Sequence, residues 1–173
     1  RDVLVSRDPS IRSLSDLPQG AVVATGSLRR KAQLLRVRPD LKIIGMRGNV
    51  DTRLRKVREG YEGMDATILA AAGIQRLGLN VPSAIALDTD QMLPAVCQGL
   101  LGLQVRETDE DIRTRLAPIE DHASTVAAAA ERAFLKTLQG DCNVPLAGYA
   151  TVDGGEVTMR GLVCGENGEP WYF

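Results

Sequence analysis

The chain has 173 residues, a formal net charge of −1 at pH 7, and 44% hydrophobic and 25% charged residues. This composition excludes a disordered or fibrous chain and is typical of one ordinary globular domain or two small ones. No apolar run approaches the roughly 20 residues that a transmembrane helix needs. Cys97, Cys142 and Cys164 lie far apart without a C-x-x-C pair. Their spacing argues against a disulfide framework or a zinc site and favours a reducing compartment.

The charges are distributed unevenly along the chain. Residues 28–58 contain eleven Lys or Arg and two Asp, a net charge of +9, so that the rest of the chain is strongly acidic. A basic block in an otherwise acidic protein indicates an anionic ligand, such as a nucleic acid, a phosphate compound or a polycarboxylate.

The first half of the chain alternates between strand and helix patterns. We predict strands at residues 20–25, 41–46 and 65–70, because each is a short apolar run rich in β-branched residues. Helical spacing predicts helices at 27–40 and 50–60 and a helical turn at 71–79. Thr25 or Ser27 is expected to cap the first helix, and Gly60 to end the second. This order predicts an α/β unit with a mainly parallel sheet.

The second half has a different pattern. Residues 98–106 (QGLLGLQVR) predict another strand and residues 109–119 a short helix. Residues 121–140 predict a long helix capped by Asp121 and ended by Gly140. Alternation predicts two strands at 146–152 and 156–163, with a turn at Asp153-Gly154-Gly155. This tail is therefore predicted to be a small separate α+β unit.

Arginines follow three successive predicted strands. The carboxyl ends of parallel strands meet at one edge of a sheet, where helix N-termini bind anions. Cations at a helix N-terminus oppose the helix dipole, so a bound anion would explain them. Arginine also makes two-pronged bonds to carboxylate or phosphate. The residues expected at this edge are Arg29, Arg30, Arg47, Arg53 and Arg76. Plain surface charge is the alternative, and it is the preferred interpretation for the basic residues late in the helices.

Six sequence blocks together carry a resemblance to a known family. They are ATGSLRRKAQL, IIGMRGNVDTRLRK, ATILAAAGIQRLGL, MLPAVCQGLLGLQVR, AAERAFLKTLQGDCNVPLAGYA and MRGLV. In this order they resemble porphobilinogen deaminase (hydroxymethylbilane synthase) over nearly the whole chain. The resemblance implies a transferase of tetrapyrrole (haem, chlorophyll) biosynthesis that condenses four porphobilinogen molecules into hydroxymethylbilane and releases ammonia.

The resemblance also implies a cofactor and its ligands. A dipyrromethane would be held by a thioether to Cys142, with Thr25, Ser27, Arg29, Arg30, Arg53 and Ala70 lining its site. Arg47, Arg76 and Gln98 would face porphobilinogen or the growing polypyrrole chain. No metal is implied. The family's catalytic aspartate has no match in this chain and is expected upstream of Arg1, so that this fragment would be inactive by itself.

The family's three-domain fold implies the domain organisation. Residues 1–93 would form a second domain that resembles a lobe of a periplasmic binding protein. Residues 94–117 would return to the first domain, and residues 118–173 would begin an incomplete C-terminal domain that anchors the cofactor. The family implies a monomer when full length, in the cytoplasm or in the plastid stroma. Asp141, Gly26 and Cys97 depart from the residues usual in the family.

Two other functions remain open from the residues. A lobe with an arginine edge would also suit a non-catalytic binding module for an anionic small molecule. Nucleic-acid binding by the basic block is less favoured, because aromatic residues are only 3% of the chain and no stacking pattern is present.

Overall fold

A computed structural model describes residues 1–139 and 144–164, together with the backbone of residues 170–172. The strands are β1 (Asp2–Ser6), β2 (Val22–Ala24), β3 (Lys42–Ile44), β4 (Ala66–Ala70), β5 (Ala84–Ala86), β6 (Leu146–Asp153), β7 (Glu156–Cys164) and β8 (Pro170–Tyr172). The α-helices are α1 (Leu28–Val37), α2 (Val50–Glu59), α3 (Ala71–Arg76), α4 (Glu110–Leu116) and α5 (His122–Thr137).

The predicted helix boundaries are largely confirmed. Ser27 caps α1 by accepting a hydrogen bond from the Arg30 backbone N–H, and Asp121 caps α5 by accepting from that of Ser124. Gly60 ends α2 with φ 63°, a left-handed conformation that costs glycine little. Gly140, the predicted end of α5, lies outside the described residues.

The first unit is a five-stranded sheet in the order β3-β2-β4-β1-β5. Strands β2, β3 and β4 are parallel neighbours, whereas β1 is antiparallel to both β4 and β5. The predicted α/β class with a mainly parallel sheet is confirmed. The sheet also contains β1 and β5, for which no strand was predicted.

Apolar side chains cover both faces of this sheet. Alternation along β1 places Leu4 in a cluster with Leu34 of α1 on one face, and Val3 and Val5 in a cluster with Leu54 of α2 on the other. All five residues of β1 are buried. The strand with the charged first residue, Asp2, is therefore a central strand of the domain.

The second unit is an antiparallel sheet in the order β6-β7-β8, with α5 packed on it. The predicted hairpin is confirmed: Asp153 pairs with Glu156, and Gly154 and Gly155 form the turn with φ 55° and 87°. Gly148 and Gly161 pair across β6 and β7, and the Phe134 ring of α5 lies against both. Glycine at these two positions lets the helix approach the sheet closely.

A buried glutamate joins this unit to the chain that follows the first sheet. Glu131 of α5 is 4% exposed. One carboxylate oxygen accepts a hydrogen bond from the Cys97 backbone N–H at 2.5 Å, and the other accepts from the Ala150 backbone N–H at 2.8 Å. Glu131 thus connects α5, β6 and the turn at residues 94–100.

The predicted strand at residues 98–106 is wrong. Residues 96–99 form turns, and residues 101–105 pair with no strand in the part of the chain that the structure describes. A strand requires a neighbour for its backbone hydrogen bonds, and alternating apolar residues do not supply one. Leu101 and Leu103 are 75% and 61% exposed.

Two further expectations concern membranes and metals. No helix within the described ranges is long and apolar enough to cross a membrane. Among the same residues no group of His, Cys, Asp or Glu is arranged to hold a metal ion. The domain boundaries expected at residues 93 and 117 stay predictions.

Substitution Gly161→Ala should destabilise the second unit. A Cβ atom at position 161 would lie 2.5 Å from Cζ of Phe134, so either the ring or the strand must move. Such overpacking costs about 1–3 kcal/mol of unfolding free energy. Gly45→Ala, where a Cβ meets nothing within 4 Å, is the matched control and should stay within about 0.5 kcal/mol. Equal stability of the two variants in urea denaturation would contradict the packing described.

Substitution Glu131→Gln should also lower the unfolding free energy, by about 1–3 kcal/mol. The amide keeps one carbonyl oxygen but turns an NH2 group toward one of the two backbone N–H donors, which is then left unsatisfied. The exposed Glu156→Gln provides the control. Urea denaturation measures both, and a Glu131→Gln protein as stable as the control would rule out a role for Glu131 in joining the two units.

Candidate functional site

The site is built where β2 ends and α1 begins. Thr25 is buried, and its Oγ1 accepts a hydrogen bond from the Ser27 backbone N–H at 3.2 Å. Ser27 Oγ in turn accepts from the Arg30 backbone N–H at 3.4 Å. These bonds fix the first turn of the helix and thereby the starting points of the Arg29 and Arg30 side chains.

Arg29 and Arg30 are buried, at 5% and 9% exposure, and both bind the carboxylate of Asp2, which is fully buried. Arg29 donates from Nη1 to Oδ2 at 2.7 Å and from Nη2 to Oδ1 at 3.3 Å. Arg30 donates from Nε and Nη2 to Oδ1 at 3.0 and 2.7 Å. Two guanidinium groups thus share one carboxylate, so the cluster keeps a net charge of +1.

Arg29 also ties this cluster to the chain that leaves the first sheet. Its Nη1 donates to the Leu93 carbonyl oxygen at 2.6 Å, and its Nη2 donates to Oε1 of Gln98 at 3.2 Å. Gln33, one turn along α1, bonds both the N–H and the carbonyl of Leu93, at 2.7 and 3.0 Å. All four terminal N–H groups of Arg29 are therefore engaged within the protein.

Asp2 supplies part of the negative charge that stabilises arginines at the start of α1. Cations at the start of α1 were expected to require a bound anion, and an internal carboxylate supplies one. Burial lowers the pKa of the Arg30 guanidinium; Asp2 opposes this effect, and the positive charges of Arg29 and Arg53 add to it. One carboxylate does not neutralise this group of cations, so the site still favours an additional anion.

Arg30 has donors left for such an anion. Its Nη1 donates to the Ile68 carbonyl oxygen of β4 at 3.0 Å. Each terminal nitrogen carries two hydrogens. One N–H on Nη1 and one on Nη2 therefore have no acceptor in the described part of the protein.

The parallel order β3-β2-β4 confirms that the three predicted strand ends lie side by side at one edge. Arg53, in the first turn of α2, is partly buried, and its Nε donates to the Gly48 carbonyl oxygen at 2.8 Å. Arg47 is exposed after β3. Ala70, the last residue of β4, precedes α3 and is half-buried. Its side chain is a single methyl group, which takes up little space at this edge of the sheet.

Gln98 lies in the turn that follows the sheet, and Arg76 lies in the last turn of α3 rather than directly at the end of β4. Nη2 of exposed Arg76 donates to the Gly99 carbonyl oxygen at 2.7 Å. Because a guanidinium only donates, the Gln98 atom that faces Arg29 must be Oε1, which turns Nε2 away. Gln98 Nε2 is buried and has no hydrogen-bond partner among the described residues. It is a donor that a ligand can satisfy.

A cleft of about 320 Å³ lies beside this turn, between α5 and β6. Its lining includes Gln98, Cys97, Glu131 and Tyr149. Burial raises the pKa of the Cys97 thiol, and the Glu131 charge raises it further while Arg132 opposes both. Burial also raises the pKa of Cys164. Neither thiol is therefore activated as a nucleophile. Cys142, the predicted cofactor anchor, lies outside the described residues.

Gly26 lies where the structure leaves no room for a side chain. A Cβ atom at this position would lie 2.9 Å from the Met46 carbonyl oxygen. The loops after β2 and β3 thus approach each other more closely than a side chain would permit. A serine at position 26 would therefore require one of the two loops to move.

Sequence reasoning missed the buried polar residues that organise this region. The sequence patterns assign no role to Asp2 or Gln33, and they place Glu131 within a predicted helix without a further function. The available signal was a charged or amide residue inside an apolar stretch: Asp2 opens the buried run DVLVS, and Glu131 interrupts a helix face rich in alanine. Such residues are buried only when they are paired.

Comparison with known proteins agrees with the resemblance. Residues 1–114 match the family model of porphobilinogen deaminase, dipyromethane cofactor binding domain, and residues 125–171 match that of porphobilinogen deaminase, C-terminal domain. The cofactor-domain match contains the Asp2, Arg29, Arg30 and Arg53 positions, whereas Cys142 falls within the C-terminal match.

Similar curated proteins are porphobilinogen deaminases from several bacteria. The protein of Syntrophotalea carbinolica is 52% identical over 97% of this chain and 52% of its own length. That of Nitrobacter winogradskyi is 46% identical over 99% of this chain and 53% of its own length. The chain thus spans about half the length of these relatives. It belongs to the porphobilinogen deaminase family.

Proposed function

We propose that this chain is the part of a hydroxymethylbilane synthase that holds the dipyrromethane cofactor and much of the polycarboxylate site. The complete enzyme would condense four porphobilinogen molecules into hydroxymethylbilane, with release of ammonia, in tetrapyrrole biosynthesis. The observation that carries this proposal is the buried Asp2–Arg29–Arg30 cluster, with its excess positive charge, in a domain that matches the family's cofactor-binding model.

The residues present fit a ligand with several carboxylates. Each pyrrole unit carries an acetate and a propionate group, so a dipyrromethane needs fixed cations and N–H donors. Arg30 offers two N–H groups without an acceptor in the described residues, and Gln98 offers its buried Nε2. Two-pronged arginine donors match the geometry of a carboxylate. When bound, the cofactor would supply the pyrrole carbon to which the first substrate is joined.

The remaining predicted ligands complete the cofactor site. The Thr25 and Ser27 hydroxyl oxygens already accept backbone hydrogen bonds, so their O–H hydrogens are available to donate to a ligand carboxylate. Arg53 would hold a further carboxylate with its terminal nitrogens, while its Nε stays on Gly48. Arg29 contributes mainly by charge, because its terminal N–H groups are engaged.

Arg47 and Arg76 are proposed to meet porphobilinogen or the growing chain. Both are exposed, Arg47 after β3 and Arg76 in the last turn of α3, and Arg76 is linked to the turn that carries Gln98 through its bond to Gly99. Exposed arginines suit a ligand that is exchanged and lengthened, because they attract carboxylates without enclosing them.

No acid/base catalyst is proposed within this chain. Asp2 accepts four N–H donors from two arginines and is fully buried, which makes it unsuited to exchange a proton with a substrate. By resemblance, the family's catalytic aspartate would lie upstream of Arg1. We further propose a cytoplasmic protein that is monomeric when full length.

The proposal predicts a covalent adduct on Cys142. Intact-mass measurement of the full-length gene product should show the added mass of two pyrrole units, and Cys142→Ser should abolish it. Cys97→Ser is the matched control and should keep the adduct, because that thiol is held protonated beside Glu131. An unmodified mass in active protein would overturn the anchor assignment, and the binding-module alternative would then account for the arginine site.

A chain of residues 1–173 by itself should form no hydroxymethylbilane, because its proposed acid/base group is absent. Porphobilinogen consumption and product absorbance after oxidation to porphyrin measure this, with the full-length gene product as the positive control. Product formation above the no-enzyme background would show that the catalytic group lies within these residues.

A further inference from the structure

We infer that Asp2 is a positioning residue for the anion site, because its carboxylate sets the direction of the two Arg30 N–H groups that have no acceptor among the described residues. This inference rests on the proposed function. Asp2 is not a ligand itself: every one of its described hydrogen bonds from a side chain comes from Arg29 or Arg30.

Two protein groups hold the guanidinium of Arg30: Asp2 binds its Nε and Nη2 edge, and the Ile68 carbonyl binds Nη1. Nε and Nη2 share Oδ1 of Asp2, at 3.0 and 2.7 Å, and Nη1 donates to the Ile68 carbonyl at 3.0 Å. The group is planar with donors at fixed angles. The Nη2 hydrogen that does not face Asp2 must therefore point away from the Nε side, toward the end of the side chain. Asp2 and Ile68 lie on neighbouring strands, so a rigid sheet fixes this orientation.

The arrangement is not explained by stability. Burying a carboxylate with two guanidinium groups carries a desolvation cost that can exceed the gain from their attraction, and an apolar replacement is often as stable. The buried cluster of Asp2, Arg29 and Arg30 instead fixes the direction of the Arg30 N–H groups. Arg29 completes it, because its bonds to Leu93 and Gln98 hold Asp2 from the other side.

Charge and positioning make opposite predictions for the removal of this carboxylate. Asp2→Asn raises the charge of the cluster from +1 to +2, so attraction by charge alone would strengthen the binding of an anionic cofactor. The Asn amide keeps one acceptor oxygen, but in either orientation its NH2 group faces an arginine N–H, so the arrangement of four bonds that holds Arg29 and Arg30 is disrupted. If positioning dominates, Asp2→Asn weakens binding even though the site becomes more positive.

The experiment uses the full-length gene product with variants Asp2→Asn and Asp2→Glu. The control is Asp88→Asn, which removes an exposed carboxylate paired with Arg1 at 2.7 Å. The measurements are the fraction of protein with the dipyrromethane mass, the melting temperature, and the Arg30 Nε–H signal in arginine-labelled NMR. We expect Asp2→Asn to lower the modified fraction by about tenfold to a hundredfold, because a displacement of about 1 Å can slow a reaction by up to about a hundredfold. Asp2→Glu should restore part of it, and the control should equal the wild type.

A folded Asp2→Asn protein with the wild-type modified fraction, or a higher one, would overturn the inference. If Asp2→Asn does not fold, Asp2→Glu decides in its place: a folded Asp2→Glu protein with a reduced fraction supports positioning, and an unchanged fraction contradicts it. If the wild type itself carries no adduct, the proposed function fails instead. The Arg30 Nε–H signal then tests the positioning separately, because it must be protected from exchange in the wild type and less protected in Asp2→Asn, where an uncharged amide replaces the carboxylate.

Discussion

The carboxylate of Asp2 is the group on which the arrangement of the candidate site depends. It is the first residue of a central strand, and it holds two consecutive arginines from the start of α1. A buried carboxylate is tolerated only when it is paired and hydrogen-bonded. Here the same bonds that satisfy the carboxylate fix the arginines. Sheet, helix and the exit of the chain at Leu93 are thereby connected through a single polar cluster.

A second buried carboxylate, Glu131, has a different role. It is satisfied by two backbone N–H groups, from Cys97 and Ala150. Asp2 therefore belongs to a charged cluster with Arg29 and Arg30, where we propose that an anion binds, while Glu131 fixes the path of the chain between the two units. The turn at residues 94–100 lies between them, because Gln98 contacts Arg29 and Cys97 contacts Glu131. The position of this turn is therefore fixed from both sides. The same contacts fix the Gln98 amide, whose Nε2 has no partner among the described residues.

The parts of the fold that follow from local pattern were predictable. The three parallel strands, the caps Ser27 and Asp121, and the Gly154-Gly155 turn each have a residue-level cause that operates within a few positions of the chain. That the ends of β2, β3 and β4 meet at one edge was predictable for the same reason, since it requires only that these strands be parallel. The roles of Cys142 and the arginines toward the cofactor came from family resemblance, and they stay predictions.

Long-range polar pairing was not predictable from one sequence. Asp2 and Arg29 are far apart along the chain. No local rule indicates that a charged residue at the start of an apolar run will be buried in an ion pair with a distant residue. The same limit explains the error at residues 98–106, where alternation indicated a strand but no partner strand pairs with it in the described residues. Propensity describes what a segment can form, whereas neighbours decide what it does form.

A crystal structure of the full-length gene product, isolated with its native cofactor, tests the account most directly. We expect both oxygens of Asp2 to remain bonded to Arg29 and Arg30 while a pyrrole carboxylate lies within about 3 Å of Nη1 or Nη2 of Arg30. A cofactor whose carboxylates contact neither Arg30 nor Arg53, or an Asp2 side chain turned away from both arginines, would contradict it.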